Sequence, residues 1–385
     1  MNASSDRPAL RINSVAGLLA SIPHLLGFTP AASLVVVGAT GVGGVQVAFR
    51  YDLPDPPEST VVAYIAAHAV RVLAHQQLTI VIAVGYGPRR LVTPLADALR
   101  GAIPRAGVRL HDMLRVEDGR YWSYLCTNPE CCPAEGVPFN PAAHEAARVL
   151  AASGQPLLPS RDALAATIAP LTGPGAETMR QATQQAEQAA SRLITRRGRG
   201  ALDRPGLTAV RAAIGLYRDG GSIVPAIGYA WLALVLTRLR IRDDAWARMD
   251  PKHRKAHRRL WIDVVRRAQP GYVAAPACLL AFTAWQGGEG ALANIALDRA
   301  LADDPGYSMA LLLRDLLAAG APPGSGCGAA SWPGIWSCTP KNKLAPGPMC
   351  LPISAASPGS ALWPGWPTSA RPPTRSCSHS SAPRA

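Results

Sequence analysis

Three cysteines stand close together in one short segment of the chain. Residues 121–136, YWSYLCTNPECCPAEG, contain Cys126, Cys131 and Cys132 among the turn-forming residues Pro, Asn and Gly. Thiols at this spacing can bind a metal ion, carry out redox chemistry or pack as small, weakly polar side chains. No complete catalytic signature accompanies them, so the sequence predicts a candidate site without naming a reaction.

A zinc site is the first chemical possibility for these thiols. Zinc commonly takes two pairs of ligands, whereas this segment offers one set, so a fourth ligand would come from His111 or His144. Adjacent cysteines share a metal ion awkwardly because their side chains tend to diverge. We therefore favour packing of the thiols beneath Trp122 and Tyr124. No resident cofactor is expected, with zinc or a reactive thiol as the alternatives.

Basic side chains are concentrated in residues 252–259, KHRKAHRR. A helix with a basic face and an apolar face can bind phosphates or an anionic membrane surface. Solvated charge over a core is the simpler interpretation, and no aromatic nucleic-acid-binding module accompanies the pattern, so a nucleic-acid partner is not expected. The candidate anion-binding residues are Arg254, Lys255, Arg258 and Arg259, with Arg266 and Arg267 further along.

Three further polar residues, His24, Asp243 and Asp244, are candidates for a pocket. The two carboxylates can act in acid–base chemistry or bind a hard cation. Helix-start chemistry explains them equally well, because Asp side chains accept hydrogen bonds from the exposed N–H groups there. His24 has no Ser, Cys or carboxylate partner nearby in the sequence, so a turn or core position is the simpler interpretation for it.

The elements that would position these residues begin with a mixed α/β sheet. Short β-branched runs bounded by Gly and Pro predict strands, whereas apolar residues recurring at three and four predict helices. Strands are expected at 33–37, 45–53, 78–84, 108–114 and 120–125, and helices at 59–74 and 89–103. This order, β-β-α-β-α-β-β, makes the Gly-rich segment 38–44 a hairpin turn between two strands rather than a phosphate loop opening a helix.

Helices dominate the rest of the chain. They are expected at 142–152, 160–170 and 176–196, and most of 206–320 has a helical pattern. Small and large apolar residues over 277–305 follow the spacing of a tetratricopeptide repeat, but a single unit of about 34 residues predicts only a tetratricopeptide-like hairpin. The expected domains are a mixed α/β domain at 1–140, a helical connector at 141–205, an α-helical domain with that hairpin at 206–323 and a disordered or frameshifted tail at 324–385.

Composition is typical of a foldable globular protein. The 385 residues are 48% hydrophobic and 17% charged, with a net charge of +14, and the acid-free tail contributes part of that excess. The apolar segments 14–37 and 226–239 are too interrupted or too short to span a membrane, and 14–37 has no clear signal-peptide cleavage pattern. We therefore expect a cytoplasmic protein, in which thiols stay reduced.

Several long motifs resemble one known family. PHLLGFTPAASLVVVG, RYDLP, GRYWSYLC, CCPAEG, RDDAWARM and HRRLWIDVVRRAQPGYVAAPACLLAFTAW are similar to the family called domain of unknown function 4192, found chiefly in high-GC Gram-positive bacteria. The resemblance runs from about residue 8 to 323 and implies no established activity, substrate or cofactor.

The function that we expect is non-catalytic binding or scaffolding. The helical domain would present a surface to a protein or peptide partner. The alternative is an enzyme, or a metal or thiol site, built around Cys126, Cys131 and Cys132 or around the carboxylates at 243 and 244.

Overall fold

Six strands form one mixed sheet in the first part of the chain. The structure is a computed structural model that describes residues 14–39, 45–76, 78–152 and 157–321. The strands are β1 (Ser33–Ala39), β2 (Val45–Asp52), β3 (Ile80–Tyr86), β4 (Arg109–Glu117), β5 (Arg120–Ser123) and β6 (Val137–Pro138). Their order across the sheet is β2-β1-β3-β4-β5-β6, in which β3 and β4 are parallel and the other neighbours are antiparallel.

Helices accompany this sheet in the first of two compact units, which contains residues 14–25 and 30–157. They are α1 (Val15–Leu26, whose last residue belongs to the second unit), α2 (Ser59–His75), α3 (Arg89–Arg105) and α4 (Glu145–Ala152). α2 and α3 share a core with the sheet face that presents Leu34, Val36 and Ala83, so apolar side chains of β1 and β3 lie beneath both helices. We call this the sheet unit.

The β1–β2 hairpin confirms that a strand, not a helix, follows the Gly-rich segment. Leu34 pairs with Tyr51 and Val36 with Phe49 in an antiparallel register. A phosphate loop would instead lead into a helix N-terminus. Residues 40–44 of the predicted turn lie outside the described residues, as does the predicted tail at 324–385.

The second unit, residues 26–29 and 158–321, is helical. Its helices are α5 (Arg161–Ala166), α6 (Gly173–Arg197), α7 (Asp203–Arg218), α8 (Ala226–Val235), α9 (Leu239–Ala247), α10 (Arg254–Arg267), α11 (Ala274–Gln286), α12 (Gly290–Asp303) and α13 (Ser308–Ala318). α11 is its central element, because every residue from Ala274 to Trp285 is buried and the helix packs against α10, α12 and α13. We call this the helical unit.

The prediction of a mixed α/β sheet followed by helices is confirmed at that level. The structure adds α1, which was not predicted because Pro23 interrupts its apolar run, although α1 accommodates this proline in its last turn. The apolar segment 226–239 forms α8, which ends at Val235, and α9 begins at Leu239. None of the helices in the described ranges is long and apolar enough to cross a membrane.

Candidate metal centre

A buried carboxylate, that of Asp112, holds the start of the loop that carries the three cysteines. Asp112 on β4 is 1% exposed, and its Oδ1 accepts hydrogen bonds from the Ser123 hydroxyl at 2.7 Å and from the Met113 N–H at 2.9 Å. The Ser123 Oγ in turn accepts from the backbone N–H groups of Leu125 at 3.1 Å and Cys126 at 3.0 Å. These bonds fix the position of Cys126 relative to the end of β5.

A tight turn then brings the chain back toward Cys126. The Asn128 side chain accepts from the Glu130 N–H at 2.9 Å, as Asn does in turns of this kind. The Asn128 carbonyl accepts from the N–H groups of Cys131 at 3.3 Å and Cys132 at 2.8 Å. Asn128 therefore holds both adjacent cysteines near the first one.

The far end of the loop is attached to β5. The Trp122 indole donates to the Ala134 carbonyl at 3.0 Å, and Arg120 donates to the Gly136 carbonyl at 2.8 Å. The Arg115 guanidinium lies 3.7 Å from the centre of a Trp122 ring, a cation–π contact. Gly136 has a φ of 84°, and a Cβ there would lie 2.4 Å from Trp122, so this position requires glycine.

The three thiols converge in the resulting loop. The Sγ atoms of Cys126 and Cys131 are 3.4 Å apart, and those of Cys131 and Cys132 are 3.5 Å apart. All three Sγ atoms lie within 4.8 Å of one another, and all three side chains are half-buried. The neighbouring cysteines do not diverge as the sequence suggested, because both N–H groups bond to the same Asn128 carbonyl.

The surroundings of the thiols disfavour negative charge. Burial, the hydrogen bond with Cys126 and the negative charges of Cys126 and Asp112 raise the pKa of Cys132 to about 11, while the hydrogen bond with Cys131 acts in the opposite direction. At neutral pH the Cys132 thiol is therefore protonated, and a metal ion that binds it has to displace the proton.

The predicted fourth ligands do not join the three cysteines. Among the described residues, the group of converging Cys, His and carboxylate ligand atoms contains only these three thiols. His144 lies at the start of α4, where its Nδ1 accepts from the Ala146 N–H at 3.1 Å. His111 lies on β4, outside this group.

The four predicted anion-binding residues all lie on α10, at half-buried or exposed positions. Arg258 donates to the Glu289 carboxylate at 2.7 Å. Arg259 donates to the Gly221 carbonyl at 2.6 Å and lies 5.2 Å from the Tyr217 ring centre. Arg254 is half-buried and Lys255 is exposed. Arg258 and Arg259 thus have acceptors within the helical unit, and anion binding by this set remains a prediction.

The predicted carboxylates are engaged in ion pairs on α9. Asp244 accepts from Arg211 at 2.7 and 3.1 Å and from Arg248 at 2.7 Å, and these cations lower the pKa of its carboxyl to about 2. Asp243 accepts from the fully buried Arg242 guanidinium at 2.7 and 3.0 Å. Both carboxylates therefore balance arginine charge in the helical unit.

His24 belongs to α1 of the sheet unit. It is half-buried, and burial lowers its pKa. Asp243 and Asp244 belong to the helical unit, so the three predicted pocket residues are divided between the two units.

Sequence reasoning did not identify Asp112 and Ser123, although both position the thiols. The signal was present in β4, since a charged residue stands beside the apolar Met113 and Leu114 in a strand expected to be covered. An Asp in such a strand needs hydrogen-bond donors, and Ser123 on the neighbouring strand is one of them.

Together the fold and the loop define a protein with a mixed-sheet unit that carries a three-thiol site and a separate helical unit. Residues 16–324 match the model of the family described as Domain of unknown function (DUF4192), and the chain belongs to that family. The predicted resemblance is thereby confirmed. No curated protein and no solved structure matches the chain.

Proposed function

We propose that the protein binds one zinc ion through the thiolates of Cys126, Cys131 and Cys132. The supporting observation is the convergence of their Sγ atoms within 4.8 Å of one another. A tetrahedral zinc ion with bonds of about 2.3 Å would separate its sulfur ligands by about 3.8 Å. The separations of 3.4 and 3.5 Å differ from that spacing by a few tenths of an ångström, which small side-chain rotations can supply.

Packing alone, the interpretation favoured by the sequence, explains this loop less well. Cys278 illustrates a packing cysteine, since it is fully buried in the core of the helical unit. The three loop thiols are only half-buried, and the residues between them, 127–130, are exposed. Burial of apolar surface therefore gives little reason for three thiols to meet here.

A disulfide is a poor alternative for the same atoms. The Sγ separations exceed the S–S bond length of about 2.05 Å, and the structure has no disulfide among Cys126, Cys131, Cys132 and Cys278. Reduced thiols accord with the cytoplasmic location that we propose. Soft thiolate ligands select zinc over magnesium or calcium, which prefer oxygen.

The proposed role of the ion is to hold the loop against the sheet edge. Three protein ligands leave one position of a tetrahedral ion for water or for a ligand from a partner. Asp112 and Ser123 act as positioning residues, because they fix the backbone from which Cys126 extends. This function is binding rather than catalysis.

Titration with cobalt(II), which replaces zinc and absorbs visible light when bound by thiolates, tests the proposal. We expect saturation at about one equivalent per chain, loss of the thiolate absorption in Cys131→Ser and displacement of cobalt by zinc. Cys278→Ala is the matched control and should bind as the wild type does, because Cys278 is a core residue of the other unit. Equal absorption in Cys131→Ser, or none in the wild type, would refute the proposal.

We retain as a separate proposal that the helical unit contains a tetratricopeptide-like hairpin, α11 with α12, that serves a peptide or protein partner. The small residues Ala277, Ala281 and Ala293 are at most 1% exposed, which supports close packing of the two helices. Two apolar residues of the next helix, Leu311 and Leu312, are 44% and 41% exposed. Substituting Leu311 and Leu312 by alanine would test whether this exposed apolar surface contacts the partner.

A further inference from the structure

A cavity of about 360 Å³ lies in the helical unit, between α6, α10, α12 and the segment before α6. Its volume falls within the range of small-molecule sites, roughly 300 to 1,000 Å³. Three arginines, Arg266, Arg267 and Arg299, line it together with one carboxylate, Asp303. This cavity is separate from the cysteine loop, which belongs to the sheet unit.

The carboxylate of the cavity is already occupied by backbone donors. Asp303 accepts from the N–H groups of Gly271 at 2.6 Å, Val273 at 2.9 Å and Ala274 at 3.1 Å, and so caps the start of α11. It raises the pKa of Arg299, but burial acts more strongly and lowers it. Asp303 therefore compensates the charge of Arg299 only in part.

The three arginines differ in the groups that accept their hydrogen bonds and compensate their charge. Arg267 donates to the Asp263 carboxylate at 2.9 Å and lies over the Tyr229 ring. Arg299 donates to the Ile168 carbonyl, a neutral acceptor. The Nε of Arg266 is buried and has no hydrogen-bond partner among the described residues. Two of the three guanidinium groups thus lack a carboxylate within ion-pair distance in the part of the chain described.

A guanidinium group that lines a cavity without a carboxylate partner can donate charge-assisted hydrogen bonds to an anion bound there. The position of Arg266 in the last turn of α10 favours a cation there, but this effect does not supply an anion that pairs with the guanidinium group. The arrangement thus calls for negatively charged oxygen atoms inside the cavity.

Apart from Gln269, the rest of the lining is apolar. Leu171, Met179, Pro270 and Val273 contribute to the wall, so a ligand with an apolar body gains contact that inorganic phosphate alone would not. We propose that this cavity binds a small organic anion, with its carboxylate, phosphate or sulfonate oxygens on Arg266 and Arg299 and its apolar body against that wall.

Fluorescence titration with 8-anilinonaphthalene-1-sulfonate, a sulfonate with an apolar body, tests this proposal on the full chain. We expect saturable binding that sodium octanoate displaces and that octanol, which has the same body without the charge, does not. Removing a charge-assisted hydrogen bond should weaken binding by roughly tenfold or more, so Arg266→Met should lower the affinity by that factor. Arg192→Met removes an exposed charge on α6 and should leave the affinity within about twofold of the wild type.

A second variant keeps the test valid if Arg266→Met does not fold. Ala176→Trp adds a large side chain to the cavity wall without removing any charge, and it should abolish octanoate-sensitive binding while the helical circular dichroism is retained. Unchanged affinity in Arg266→Met or in Ala176→Trp, or displacement by octanol as effective as by octanoate, would overturn the proposal. Displacement by inorganic phosphate as effective as by octanoate would likewise contradict the apolar part of the site.

Discussion

His257 should make the helical unit sensitive to mild acid. It lies on α10, is 2% exposed, and its Nε2 accepts from the Asp250 N–H at 3.5 Å. Its Nδ1 is buried without a hydrogen-bond partner among the described residues. Burial, reinforced by the positive charges of Arg218 and His253 and opposed by Asp250, lowers the pKa of His257 from 6.5 to about 4.

The direction of the effect follows from proton linkage. The unfolded chain takes up a proton at His257 as the pH falls through about 6.5, whereas the folded protein does so only near pH 4. Stability is therefore fully retained above the unfolded pKa and is lost progressively between about pH 6.5 and pH 4. At pH 4.5, two units below the unfolded pKa, the loss from this group amounts to about 2.5 kcal/mol, since each pKa unit corresponds to about 1.4 kcal/mol and the folded protein has begun to take up the proton as well.

The assay is urea unfolding followed by circular dichroism of the helices at pH 7 and pH 4.5. In His257→Gln, which retains an acceptor for the Asp250 N–H, the loss of unfolding free energy between the two pH values should be smaller than in the wild type by about 2.5 kcal/mol. His75→Gln is the matched control, because His75 is exposed in the last turn of α2, in the sheet unit, and it should behave nearly as the wild type. If His257→Gln loses as much stability as the wild type between pH 7 and pH 4.5, the reasoning is wrong.

Two further predictions concern stability and packing. Gly136→Ala should destabilise the sheet unit by about 1–3 kcal/mol, because the left-handed φ of this position is strained for alanine and the added Cβ would displace Trp122. Gly101→Ala, in an open helical position on α3, should instead stabilise the sheet unit by up to about 1 kcal/mol. Thermal melting of both variants checks this pair, and equal melting temperatures would contradict it. Ala281→Leu should cost about 1–3 kcal/mol by overpacking α11, compared with less than about 0.5 kcal/mol for the exposed Leu312→Ala, as measured by urea unfolding. A neutral Ala281→Leu would argue against the close-packed hairpin.

Local sequence patterns identified the elements whose burial is either continuous or follows one regular period. The run SLVVV predicted a strand, and β1 is buried along its whole length. The stripe over 59–74 predicted a helix, and α2 spans Ser59–His75 with Val62, Ile65 and Ala69 buried. α1 was missed because a helix with Pro in its last turn and an apolar surface on most sides has no clear amphipathic period.

The candidate sites were less accessible to sequence reasoning because their geometry depends on distant residues. Cys126, Cys131 and Cys132 were identified from their spacing, but their convergence depends on the Asn128 turn and on the buried Asp112. The cavity joins Arg266 to Arg299 through the packing of α10, α11 and α12, and a pattern of nearest neighbours cannot reveal that contact.

Elemental analysis of the purified full chain for zinc tests the central claim most directly. The protein is expressed with zinc in the medium and purified without chelators, beside Cys131→Ser and the control Cys278→Ala. The account predicts about one zinc per chain in the wild type and in Cys278→Ala, and close to none in Cys131→Ser. A wild-type protein that is folded, has its thiols reduced and contains no zinc even after addition of excess zinc would contradict it.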